Sequence, residues 1–166
     1  MKLQTSTSAK PAVYVETSVV SYLAARTSSD LVISAHQLIT RQWWTDASAR
    51  YDLCTSALVY DEAQNGKPTL AAKRLELLDT MRTLEPSPLI VDISRALIRA
   101  AALPPKALRD AEHIALAAVH HIAYLATWNF RHIANPVTSG KIDAVLRLMG
   151  YVPSVLCSPE HLLAIE

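Results

Sequence analysis

Short apolar runs recur along this chain, separated by stretches of helical character. "AVYV" (12–15), "YDLCTS" (51–56), "IAYLAT" (122–127) and "SVLC" (154–157) each read as a strand, and "LIV" (89–91) as a further short one. Such runs suit strands buried on both faces, as in a parallel sheet covered by helices. The gaps carry helix signals. Residues 18–25 make one or two turns. Asp30 is placed to cap a helix to about residue 48, with Leu31, Ala35, Leu38, Ile39 and Trp43 as its apolar positions. Ser56 is placed to cap a helix over 57–64. "TLAAKRLELLDTM" (69–81) is helical in composition, and Asp92 is placed to cap 93–103. Residues 106–121 and 140–149 follow, the latter with Gly150 as its C′ residue. Ser158 and Pro159 open a last helix to about residue 165. Strands alternating with helices specify an α/β fold whose parallel sheet lies between helix layers.

A chain of 166 residues suits one domain, here 11–166, preceded by a flexible tail over 1–10. With 51% apolar and 19% charged residues it is globular rather than disordered. The net charge of +1 gives no global attraction to nucleic acid, so any basic surface is local. Gly66, Gly140 and Gly150 are too scattered for a GxGxxG or P-loop cradle. Cys54 and Cys157 lack CxxC spacing, which argues against a zinc ribbon or a disulfide scaffold and for buried free thiols. No apolar run approaches the ~20 residues of a membrane span. "MKLQTSTSAK" has no apolar core of a secretion signal, so a cytoplasmic protein without a membrane partner is expected.

In open parallel sheets, ligands bind beyond the carboxyl ends of the strands. Glu16 follows the first strand directly, and Asn129 follows "LAT". Glu62 lies about two turns into the helix after "DLCT", and Asp110 near the start of 106–121. Asp110 shares a helix side with Ala107, Ile114 and Ala117, where a carboxylate needs a partner, a proton or a metal. Arg109 and Glu112, by contrast, form an ordinary i,i+3 pair. Each acid also has a plain structural use. Asp110 complements a helix dipole, Glu16 caps a turn or pairs with Arg26, and Glu62 is an exposed acid beside Asp61. Three carboxylates near one sheet edge nevertheless repel each other and call for a hard divalent cation, Mg²⁺ or Mn²⁺.

"VYVETSVVSYL", "TSALVYDEAQNG" and "LRDAEHIALAAVHHIAYLATWNFRHIAN" together resemble the PIN-domain ribonucleases of the VapC toxin type. The resemblance runs from about residue 12 to 160, and the third stretch is its most specific part. It implies a three-layer α/β/α sandwich with a mostly parallel central sheet. It also implies an acid cluster that holds Mg²⁺ or Mn²⁺ for hydrolysis of RNA phosphodiester bonds. Carried over, Glu16, Glu62 and Asp110 are the metal-binding acids, Thr17 or Ser18 steadies them, and Asn129 stands where a fourth acid is common. Two departures stand out: Glu16 is one methylene longer than the usual Asp, and Asn129 is neutral. The resemblance further implies a homodimer and an antitoxin protein that blocks the groove. An alternative reading is a PIN-like module that binds RNA or protein without turnover, and a third is another Mg²⁺-dependent phosphohydrolase.

His113 and His120 share one helical face but lack the i,i+4 spacing of a zinc pair, so packing and hydrogen bonding are their expected uses, with His113 a partner near Asp110. Trp43 is expected in the core or at a dimer contact. Trp128, beside Asn129, is a candidate for base stacking. Arg131, His132, Lys141, Arg26 and Lys67 are candidate phosphate contacts.

Overall fold

A computed structural model of the chain describes residues 9–163. Most of the tail assigned to 1–10, and the end of the last helix, therefore lie outside the described residues. Five strands, β1 (Ala12–Val15), β2 (Asp52–Ser56), β3 (Arg82–Leu84), β4 (Tyr124–Ala126) and β5 (Val155–Cys157), form one sheet. Their order is β3-β2-β1-β4-β5, and every neighbouring pair is parallel. Val13, Tyr14 and Val15 are wholly buried, which is why β1 is apolar at successive positions and sits at the centre.

Among the described residues, eight α-helices cover the sheet. They are α1 (Thr17–Ala24), α2 (Leu31–Arg50), α3 (Ala57–Ala63), α4 (Pro68–Leu78), α5 (Pro88–Arg99), α6 (Leu108–Val119), α7 (Pro136–Leu148) and α8 (Pro159–Leu163). Helices α1–α4 pack with one another and α2 packs on α8, while α5 packs on α6 and α7. The result is a three-layer α/β/α sandwich. Ala111, Ala115, Ala117 and Ala118 give α6 a small-residue surface that is fully buried. Trp43 and Leu78 fill the opposite layer. Cys54 and Cys157 are buried free thiols, and burial pushes both up to about 12, so neither is a reactive thiolate.

Local chemistry sets most boundaries. Asp30 caps α2 by accepting from Val32 N–H at 2.9 Å and Ile33 N–H at 3.0 Å. Gly150, at φ +86°, ends α7: Tyr151 N–H reaches Leu146 O and Gly150 N–H reaches Arg147 O, a Schellman closure. Three expectations need correction. "LIV" is not a strand but the first turn of α5, and Asp92 lies inside that helix. Ser87 is the cap, its Oγ accepting from Leu89 N–H, with Pro88 next. The buried positions Ile90, Ile93 and Leu97 then follow helical spacing. The strand of this region is β3, an edge strand of three residues with two exposed side chains. Helix α7 starts at Pro136 rather than Gly140, because Asn135 Oδ1 accepts from Val137 N–H at 2.9 Å.

Candidate active site at the carboxyl edge of the sheet

The chain builds β1, β2 and β3 in one direction and then returns to place β4 and β5 on the other side of β1. The strand order therefore reverses between β1 and β4, where a crevice forms beyond the carboxyl ends. Val15 pairs with Ala126 there, and Glu16 N–H donates to Ala126 O at 3.1 Å. Glu16 and Thr127 thus leave the sheet side by side.

Glu16 is buried and caps α1. Its Oε2 accepts from Ser18 N–H at 3.1 Å, Ser18 Oγ at 2.5 Å and Thr127 Oγ1 at 2.7 Å. No hydrogen bond reaches Oε1 from the described residues. There is also no ion pair to Arg26 among them. One oxygen, Oε2, carries all of this anchoring.

Glu62, on α3, is half-buried and accepts from the hydroxyl of Thr17. His113 Nε2 lies 3.2 Å from its Oε2, and Arg109 Nε 3.7 Å from its Oε1. Burial opposes ionisation of Glu62, but the hydrogen bond and charge of His113, then Thr17 and Arg109, outweigh it and hold the carboxyl below its ordinary range. Arg109 also pairs with Glu112 at 3.2 Å and Asp61 at 3.5 Å, as an ordinary exposed cation would.

His113 is oriented from behind. Its Nδ1 lies 2.7 Å from the Tyr14 hydroxyl, which lies 2.7 Å from Ser56 Oγ. Burial pushes the Tyr14 phenol well above its usual value, so it keeps its proton. Two proton orders satisfy the row: Ser56 donates to Tyr14, Tyr14 to His113 Nδ1 and His113 Nε2–H to Glu62, or His113 Nδ1–H donates to Tyr14 and Tyr14 to Ser56.

Asp110 joins from the first turn of α6. Its Oδ1 accepts from Asn129 Nδ2 at 2.9 Å, and Asn129 Oδ1 accepts from His132 N–H at 3.0 Å, which fixes the amide's orientation. Desolvation raises the Asp110 carboxyl above its ordinary range. His132 and His113 oppose that rise, and the charges of Glu16 and Glu62 add to it. Asp110 therefore sits within the field of both other acids. Its Oδ2 accepts no hydrogen bond from the described residues.

One ligand atom each from Glu16, Glu62 and His113 lie within 4.8 Å of one another. Two carboxylates and an imidazole, with a third carboxylate alongside, form a donor set that fits a divalent cation. No family model matches the chain, and no curated protein does. Among the described residues, no helix is long and apolar enough to cross a membrane.

The site-residue expectations separate as follows. Glu16, Glu62 and His113 come together, with Asp110 and Asn129 adjoining. Thr17 binds Glu62 and Ser18 binds Glu16. His113 bonds to Glu62 rather than to Asp110. Trp128 is buried, its Nε1–H donating to Thr40 Oγ1 at 2.8 Å and its ring stacked under His36 at 4.1 Å. Arg131, Lys141, Arg26 and Lys67 are exposed. His120 Nε2 lies 2.8 Å from Glu85 O. Sequence reasoning missed Thr127, Tyr14 and Ser56. A tyrosine inside an apolar strand is the usable signal, because a buried phenol needs a partner. A concavity of about 570 Å³ at the amino end of the strands contains Arg82 and Asp52, but these pair with each other at 2.6 Å and leave no comparable ligand set.

Proposed function

We propose that this protein is a divalent-metal-dependent ribonuclease of the PIN-domain VapC type, the toxin of a toxin–antitoxin pair. The observation that carries the reading is the convergence of Glu16, Glu62 and His113 within 4.8 Å at the sheet's switch point, with Asp110 beside them. The nearness of Glu16, Glu62, Asp110 and Asn129, the residues on which the resemblance falls, supports the reading.

Glu16 and Glu62 would hold the cation, with Asp110 beside them, and His113 would join through Nε2 with its ring proton on Nδ1 toward Tyr14. Once bound, such an ion lowers the pKa of a coordinated water and polarises a phosphoryl oxygen. Glu62, held ionised by His113 and Thr17, orients the attacking water by accepting its hydrogen bond. Thr127 and Ser18 keep Glu16 from swinging away. Asn129 holds Asp110 without adding a fourth negative charge, which lessens the repulsion toward an approaching phosphate. The protein acts on RNA in the cytoplasm as a homodimer and is silenced by an antitoxin segment that enters the acidic groove. The neutral amide at Asn129 also favours a second reading, RNA binding without turnover.

The deciding experiment incubates a mixed RNA pool with the wild type and with Asp110→Asn, with and without Mg²⁺ or Mn²⁺. Cleavage only by the wild type with cation supports the ribonuclease. Binding without cleavage under every condition supports the second reading.

A further inference from the structure

The acid cluster occupies the carboxyl ends of β2, β1 and β4. One strand further along the same edge, at β5, a concavity of about 490 Å³ opens, lined by Phe130, Ala134, Asn135, Ser139, Leu156 and His161. That volume is in the range of small-molecule clefts. Neighbouring strands are ~4.8 Å apart, so the ends of β1 and β5 are separated by about 10 Å. Phe130 directly follows Asn129, which donates to Asp110, so one turn links the cavity to the cluster.

Phe130 is 43% exposed and stands nearly perpendicular to the two rings it leans on, at 84° to half-buried His36 and 78° to buried Trp128. Its ring is thus held upright at the cavity wall. His161 Nδ1 accepts from Ser158 N–H at 3.1 Å, which leaves the ring proton on Nε2, and no described residue accepts it. The Asn135 amide, by contrast, is tied to Val137 N–H and Arg131 O and only shapes the wall. A fixed aromatic ring, a mostly apolar hollow and one free N–H donor suit a flat heteroaromatic with an acceptor on its edge. A base paired within a duplex cannot present its face and edge in this way.

We infer that the concavity beside Phe130 is a subsite for one base of a single-stranded RNA whose backbone crosses the acid cluster. The ligand class rests on the ribonuclease reading. The subsite selects unpaired RNA and favours particular bases next to the cleaved bond through His161.

The test titrates a short single-stranded RNA carrying 2-aminopurine into the wild-type protein with Ca²⁺ in place of Mn²⁺, following fluorescence. The base is quenched on binding. Phe130→Leu, which keeps apolar bulk without a π face, removes the quench and weakens binding by roughly tenfold, while Phe130→Tyr retains both. Unchanged quench and affinity in Phe130→Leu, alongside Mn²⁺-dependent cleavage by the wild type, overturn the subsite and leave the ribonuclease standing. A Phe130-dependent quench with no wild-type cleavage supports the subsite and removes the ribonuclease. Absence of any RNA binding or cleavage overturns both.

Discussion

Thr127 ties Glu16 to the turn that carries Asn129: its hydroxyl donates to Glu16 Oε2 at 2.7 Å and accepts Asn129 N–H at 2.9 Å. Replacing Thr127 by Val keeps the shape, unties the carboxylate and leaves a backbone N–H unpaired. A stability loss of about 1–3 kcal/mol is expected in urea titrations. Cation-dependent RNA cleavage should fall roughly ten- to a hundredfold, as it does when a residue supporting a ligand is lost. Thr127→Ser should restore most of both.

Ionised Asp110 should weaken the metal-free fold. Burial, reinforced by Glu16 and Glu62, raises its carboxyl above the ordinary range, so the ionised form is disfavoured in the native state. A raised folded value means that stability is greatest below the unfolded value and declines as pH climbs through the folded one. At neutral pH, Asp110→Asn should therefore melt at a higher temperature than the wild type in EDTA. Mn²⁺ should raise the melting temperature of the wild type and leave that of the variant nearly unmoved. A wild type that melts above the variant in EDTA counts against this account.

Glu62 behaves in the opposite sense. Its carboxyl is held below 4.5, so its contribution is complete above that pH and disappears as acid carries the solution through the folded value. Glu62→Gln should be less stable than wild type at pH 7, and the gap should close below about pH 4.5. Denaturant titrations across that range measure it.

Tyr14→Phe tests the buried row. It removes the hydroxyl that partners both His113 Nδ1 and Ser56 without altering bulk, at an expected cost of about 1–3 kcal/mol. Because an imidazole draws affinity toward transition metals, the wild type should hold Mn²⁺ more tightly than Mg²⁺. His113→Gln should narrow that preference, read by calorimetric titration.

Much of the fold was legible because burial and capping are written locally. The apolar run at 12–15 and the Asp30 cap are short-range signals, and both lie where the residues themselves indicate. β3 was not legible because an edge strand of three residues, two of them exposed, has neither apolar continuity nor alternation. The acids stood out by position, each out of place beside apolar neighbours. Their anchors did not, because the partnerships are remote in sequence. Thr127 meets Glu16 across 111 positions, and Tyr14 meets His113 across 99. No periodicity encodes such pairs. Trp128 drew notice as an aromatic at the site mouth, yet its indole N–H had an internal use on Thr40, and Phe130 is the exposed ring.

Glu16 starts a helix with one oxygen while belonging to the proposed ligand set, so erasing it removes a scaffold element along with a proposed ligand. Asp110 has no comparable duty as a helix cap. In a lineage selected to silence this protein while keeping it abundant and folded, inactivating changes should accumulate at Asp110 well before they appear at Glu16.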